Sequence, residues 1–112
     1  DKRTGKIWYN SNMVDWKDAK VHLLNHGLHY ASCVFEGERV YNGEIFKLEE
    51  HTKRLFHSAN RMGIKIHYSE KEINYACKET ILFQKVNDGY VRPVVWRGSE
   101  MRQYLPNKLK FM

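Results

Sequence analysis

The sequence predicts an α+β domain in which a largely antiparallel sheet carries two main helices, and three observations predict it. Asn42-Gly43 lies between two strand-like runs, and that dipeptide favours a tight hairpin because both central positions take positive φ. Apolar residues recur at helical spacing between Lys47 and Met62. Ser69-Glu70-Lys71-Glu72 has the form of a capping box, which opens a second helix.

The remaining elements follow in order. Ile7-Trp8-Tyr9-Asn10 and Met13-Val14-Asp15-Trp16 flank a polar Asn10-Ser11-Asn12 turn and read as an opening hairpin. Ala19 to Tyr30 mixes histidines with leucines and shows no clear period. Cys33 to Tyr41 reads as one strand, returning through Asn42-Gly43 into Glu44-Ile45-Phe46. In the first helix Leu48, His51 or Thr52, Leu55, Ala59 and Met62 turn inward, and Gly63 is placed to stop it. In the second, Ile73, Ala76, Cys77, Thr80 and Ile81 turn inward. Tyr90 to Arg97, rich in valine and aromatics, reads as a closing strand. Residues 1–100 form one domain. Residues 101–112 are basic, carry Pro106 and hold no period, so they are expected outside the packed core.

Composition excludes several classes. Hydrophobic residues make up 42% of the 112 and charged residues 29%, enough apolar material for one core and too much for a disordered tail. No apolar run approaches the roughly 18 residues that span a bilayer. The net charge of +6 is scattered among acids, which predicts a solvated mixed surface and no nucleic-acid partner. Cys33 and Cys77 stand alone and far apart, the pattern of buried thiols in a reducing compartment, so the cytoplasm is expected. His22, His26 and His29 lack a clustered fourth ligand, and no metal site is expected.

A few residues carry more chemistry than packing needs. Arg54 lies on the first helix, where its guanidinium fork suits a phosphate dianion; the plainer reading is a surface pair with Glu50 at i,i+4. Tyr90 and Arg92 are two apart on a strand and face the same way. An arginine among valines needs an anion if buried, or else snorkels to water from an edge that Pro93 hints at. Phe35, Gly37, Arg39 and Tyr41 share a strand face, where Gly37 lets a ligand approach the backbone and Phe35 offers an apolar wall. Ordinary core packing is the alternative for these.

Three stretches in register then point to a family: His26-Gly27-Leu28-His29-Tyr30 with Val34-Phe35-Glu36-Gly37, Glu50-His51-Thr52-Lys53-Arg54-Leu55 with Ser58-Ala59, and Tyr90-Val91-Arg92-Pro93. From Ile7 to Glu100 the chain resembles the N-terminal small domain of the fold-type IV aminotransferases, and among them the branched-chain amino acid aminotransferases fit best. The resemblance implies pyridoxal phosphate as cofactor and amino-group transfer between branched-chain amino acids and 2-oxoglutarate. It implies that Arg54 holds the cofactor phosphate and that Arg92, with Tyr90, shapes the pocket for the substrate's carboxylate groups. Tyr30, Phe35 and Gly37 line that pocket on the same grounds. Glu38 departs from the family pattern, standing where an aliphatic residue is usual; it lies on the opposite strand face and bears on packing.

The family's Schiff-base lysine belongs to a second, larger domain, and Lys47 and Lys53 do not match its position. No catalytic residue is therefore expected in this chain. Alone it should be inactive and should not hold the cofactor stably, as a fragment ending before the large domain. An interrupted reading frame and a trimmed chain both fit that. The face meant for the larger domain should be an apolar patch that favours self-association. D-amino-acid aminotransferases and aminodeoxychorismate lyases are the rivals within the fold type. Outside it stand a non-catalytic remnant or partner-binding domain and, last, a basic nucleic-acid-binding module.

Overall fold

The computed structural model describes residues 4–98, so the expectation for residues 101–112 lies outside the described residues. The opening hairpin forms as expected from β1 (Lys6–Tyr9) and β2 (Asn12–Asp15), antiparallel with Tyr9 opposite Asn12. Asn10 and Ser11 take φ of 45° and 75°, the positive values a two-residue turn requires. Lys6 and Asp15 close the open end with an ion pair.

The aperiodic stretch holds a short helix, α1 (His26–Tyr30). The Asn25 side chain accepts from the Gly27 N–H at 2.9 Å, and Ala31, at φ 55°, ends the turn. Five residues are too few for a 3.6-residue period to register.

The two long strands of the sequence reading are both interrupted. Cys33–Tyr41 divides into β3 (Cys33–Phe35) and β4 (Glu38–Tyr41), which continues through the Asn42-Gly43 turn into β5 (Glu44–Ile45). Later in the chain, Tyr90–Arg97 is replaced by β6 (Gly89–Val91) and β7 (Val94–Trp96). The interruptions face each other. β3 pairs antiparallel with β7, Phe35 opposite Val94, and β4 pairs antiparallel with β6, Glu38 opposite Val91. Two residues on each side separate these pairs, so the register does not slip. The cause is Pro93: it accepts from the Glu36 N–H at 3.0 Å but has no N–H to return. One rung is lost and the alternation survives, with Phe35, Gly37, Arg39 and Tyr41 exposed and Glu36, Glu38 and Val40 buried.

On the buried side lie α2 (Leu48–Arg61) and α3 (Glu70–Phe83). Gly63 follows α2 at φ 70°, as its placement suggests. Thr52, not His51, takes the inward position; Met62, just past the end of α2, is 44% exposed, and Thr80 is only half-buried beside the buried Ile81. The capping box is complete, with Ser69 accepting from the Glu72 N–H and Glu72 from the Ser69 N–H. Leu48, Leu55, Ile73 and Cys77 form the core between helices and sheet, with Trp8, Val34, Phe56, Val91 and Val95 packed against them. Among the described residues no helix is long and apolar enough to cross a membrane.

Candidate ligand-binding site

Four of the residues singled out from sequence meet on the exposed face of the interrupted strand pair. The Arg92 guanidinium carbon stands 4.3 Å from the centre of the Phe35 ring and 5.4 Å from that of Tyr90. Its Nη2 donates to the Tyr90 hydroxyl at 2.7 Å. Gly37 lies under that hydroxyl: a Cβ there would collide with it. Two aromatic faces and a phenol thus hold the arginine without neutralising it, and among the described residues no carboxylate pairs with Arg92. A fixed cation beside an apolar ring suits a carboxylate attached to an aliphatic chain. Strand pairing builds the cluster. Arg39 stands opposite Tyr90, which leaves room beside Gly37 for the Tyr90 ring.

Arg54 lies on the other side of the same strand. Its partner is Glu36, not Glu50, which pairs with Lys47 at 3.3 Å. Nε donates to Glu36 Oε2 at 2.8 Å and Nη2 to Oε1 at 2.7 Å. His51 Nδ1 meets the same Oε1 at 2.7 Å. Glu36 is buried while the Arg54 side chain is 66% exposed. The hydrogen bond from Arg54 holds the Glu36 carboxyl below the usual carboxylate range, against the opposing effect of burial. A guanidinium has five N–H donors, and this fork commits only two of them. Among the described residues Nη1 has no hydrogen-bond partner, and a guanidinium with that edge uncommitted has the chemistry to suit a cofactor phosphate.

Glu36 carried no sequence signal of its own, because its partners are fifteen and eighteen positions away. The Tyr30 ring lies tilted against those of His26 and His29, with ring centres 4.5 and 6.4 Å away; its described ring contacts are thus with α1. His22 accepts from the Leu24 N–H, His26 bonds Ser32, and His29 bonds the Leu23 carbonyl, so these rings brace the 22–32 segment. No described contact joins Arg54 to the Arg92 cluster. They are linked through the consecutive residues Phe35, Glu36 and Gly37, which point alternately to the two faces.

A family profile described as amino-transferase class IV matches residues 33–112, well over half of the chain. The chain belongs to that family. The class IV match includes residues 101–112, which the sequence reading set apart. A "probable branched-chain-amino-acid aminotransferase" of Rickettsia typhi is 46% identical over 94 residues, 84% of this chain and 33% of its own length. The crystal structure of the Escherichia coli branched-chain amino acid aminotransferase superposes with a TM-score of 0.83 at 37% identity, covering 87% of this chain and 33% of that one. The T.th. branched-chain amino acid aminotransferase, complexed with N-(5'-phosphopyridoxyl)-L-glutamate, gives 0.85 at 36% identity over 94% of this chain and 37% of that one. That enzyme has also been solved with 4-methylvaleric acid. This class IV chain therefore spans about a third of the length of the relatives it matches.

Proposed function

We propose that this chain is the ligand-holding small domain of a pyridoxal-phosphate-dependent branched-chain aminotransferase, exchanging an amino group between a branched-chain amino acid and 2-oxoglutarate. The observation that carries the proposal is the Phe35–Gly37–Tyr90–Arg92 cluster, an unneutralised cation fixed beside an apolar wall. Pyridoxal phosphate, when bound, supplies the electron sink for chemistry at the substrate's α-carbon. The chain's own residues bind and orient. Arg54 would hold the phosphate. Arg92, oriented by the Tyr90 hydroxyl that Gly37 leaves room for, would hold a substrate carboxylate, and Phe35 would meet the branched side chain; Tyr30 would line the same pocket from α1. The likeness to an enzyme complexed with a phosphopyridoxyl amino acid supports both assignments.

Self-association belongs to the same reading, since Leu23, Leu28 and Tyr30 expose apolar surface. The free thiols of Cys33 and Cys77 support a cytoplasmic, reducing setting.

The test is a chimera in which residues 4–98 replace the matching third of the Pseudomonas aeruginosa branched-chain-amino-acid aminotransferase, a 45% identical relative. It should transaminate leucine with 2-oxoglutarate. Arg92→Ala should raise KM for both, while Arg54→Ala should raise the cofactor concentration needed for half activity. A folded chimera that turns over D-alanine but not leucine would refute the branched-chain assignment.

A further inference from the structure

We infer that Glu36, braced by His51, is a positioning residue that aims the Arg54 guanidinium; this rests on the reading of Arg54 as the phosphate anchor. An arginine side chain that is 66% exposed would ordinarily sample many rotamers. Here its Nε and Nη2 are both held by one carboxylate, at 2.8 and 2.7 Å. Two parallel bonds fix the plane of the fork as well as its position. Because the group is planar, engaging the Nε/Nη2 edge turns the Nη1 edge away from Glu36. The carboxylate is itself immobile: it is buried in the strand pair, and its backbone N–H is bonded to Pro93. His51, one turn before Arg54 on α2, holds Oε1 at 2.7 Å, so the carboxylate cannot swing to follow the arginine. A helix and a strand are thereby locked at the point where an anion would dock. Glu36 touches no ligand; it acts through Arg54.

The test uses the 112-residue chain labelled with nitrogen-15, following the Arg54 Nε–H resonance and its exchange with water. Pyridoxamine 5'-phosphate, which has no aldehyde to react with lysines, is the titrated probe. In the parent chain the resonance should be resolved and slow to exchange. Glu36→Gln should collapse that protection and weaken probe binding by roughly tenfold, the effect of losing a charge-assisted pair. Glu36→Asp, which keeps the charge on a shorter arm, should recover part of both. A purely structural role for Glu36 would lower the melting temperature without singling out this one resonance. If Arg54→Ala weakens binding while Glu36→Gln leaves the Nε–H protection and the affinity unchanged, the inference is overturned and the anchor reading stands. If Arg54→Ala binds like the parent, the anchor reading itself fails. Should Glu36→Gln not fold, His51→Gln replaces it: faster Arg54 Nε–H exchange supports the inference, and unchanged exchange overturns it. The exchange readout needs no ligand, so it decides even where probe binding is below detection.

Discussion

Glu36 and Glu38 stand two residues apart on the same buried strand face, and their surroundings drive them in opposite directions. Arg54, then His51, keep the Glu36 carboxyl ionised below its ordinary 4.5. Glu38 is wholly buried, among the described residues its oxygens find no hydrogen bond of good geometry, with only the weak Cys77 thiol near, and burial pushes it up to about 7. The charge of Glu36 adds to that rise, while His51 and the nearby Cys77 thiol oppose it. The two effects have opposite signs in pH. The Glu36 contribution is present above pH 4.5 and is lost as pH falls through its depressed value. Glu38 is tolerated when neutral, and stability falls as pH climbs from 4.5 through about 7. Stability should therefore peak near pH 5, and Glu38→Leu should stabilise the fold by roughly 3 kcal/mol more at pH 8 than at pH 4.5. Urea unfolding at both pH values checks this; an equal effect at each would contradict it. Gly37→Ala should displace the Tyr90 hydroxyl from Arg92 and weaken 4-methylvalerate binding several-fold with the melting temperature nearly unchanged, which titration and calorimetry on one sample can show. The period of two was enough to place Glu38 opposite the Phe35 face. That it lacks a partner, and that Arg54 reaches Glu36 rather than Glu50, depends on helix and strand coming together, which no local spacing encodes.

Elements with a local chemical signal were legible. The Asn42-Gly43 turn takes φ of 50° and 77°, and the Ser69 capping box forms with both reciprocal bonds. Ser69→Ala should cost about 1 kcal/mol of stability, read as a shift in urea midpoint at constant m-value. The strand interruption was not read from sequence. Pro93 hinted only at an edge, and the matching gap at Glu36-Gly37 is imposed across the sheet. α1 was not legible, since five residues capped by Asn25 leave no period to count. The histidines around it serve that cap and its flanking loop through Leu23, Leu24 and Ser32.

At the scale of the molecule, the chain carries Arg92 and Arg54 on opposite faces of one strand pair and spans about a third of the length of the relatives it matches. The 112-residue polypeptide alone should give no leucine–2-oxoglutarate turnover, and its exposed Leu23, Leu28, Tyr30 and Phe46 should drive concentration-dependent association visible in sedimentation. A visible-spectrum assay showing turnover would remove the first expectation, and a concentration-independent monomer the second. The fold class could be read from sequence, as could the shared face of Tyr90 with Arg92 and of Phe35 with Gly37; that the two faces adjoin depends on β4 pairing with β6 and β3 with β7. On the proposed function, one face takes the substrate's carboxylate and the other the cofactor's phosphate. Side-chain NMR with two ligands in turn measures this most directly. 4-Methylvalerate should shift Arg92 and the Phe35 and Tyr90 rings while leaving Arg54 still, and pyridoxamine 5'-phosphate should shift Arg54. Shifts of Arg54 and Arg92 by the same ligand to the same extent, or by neither while other basic residues move, would contradict it.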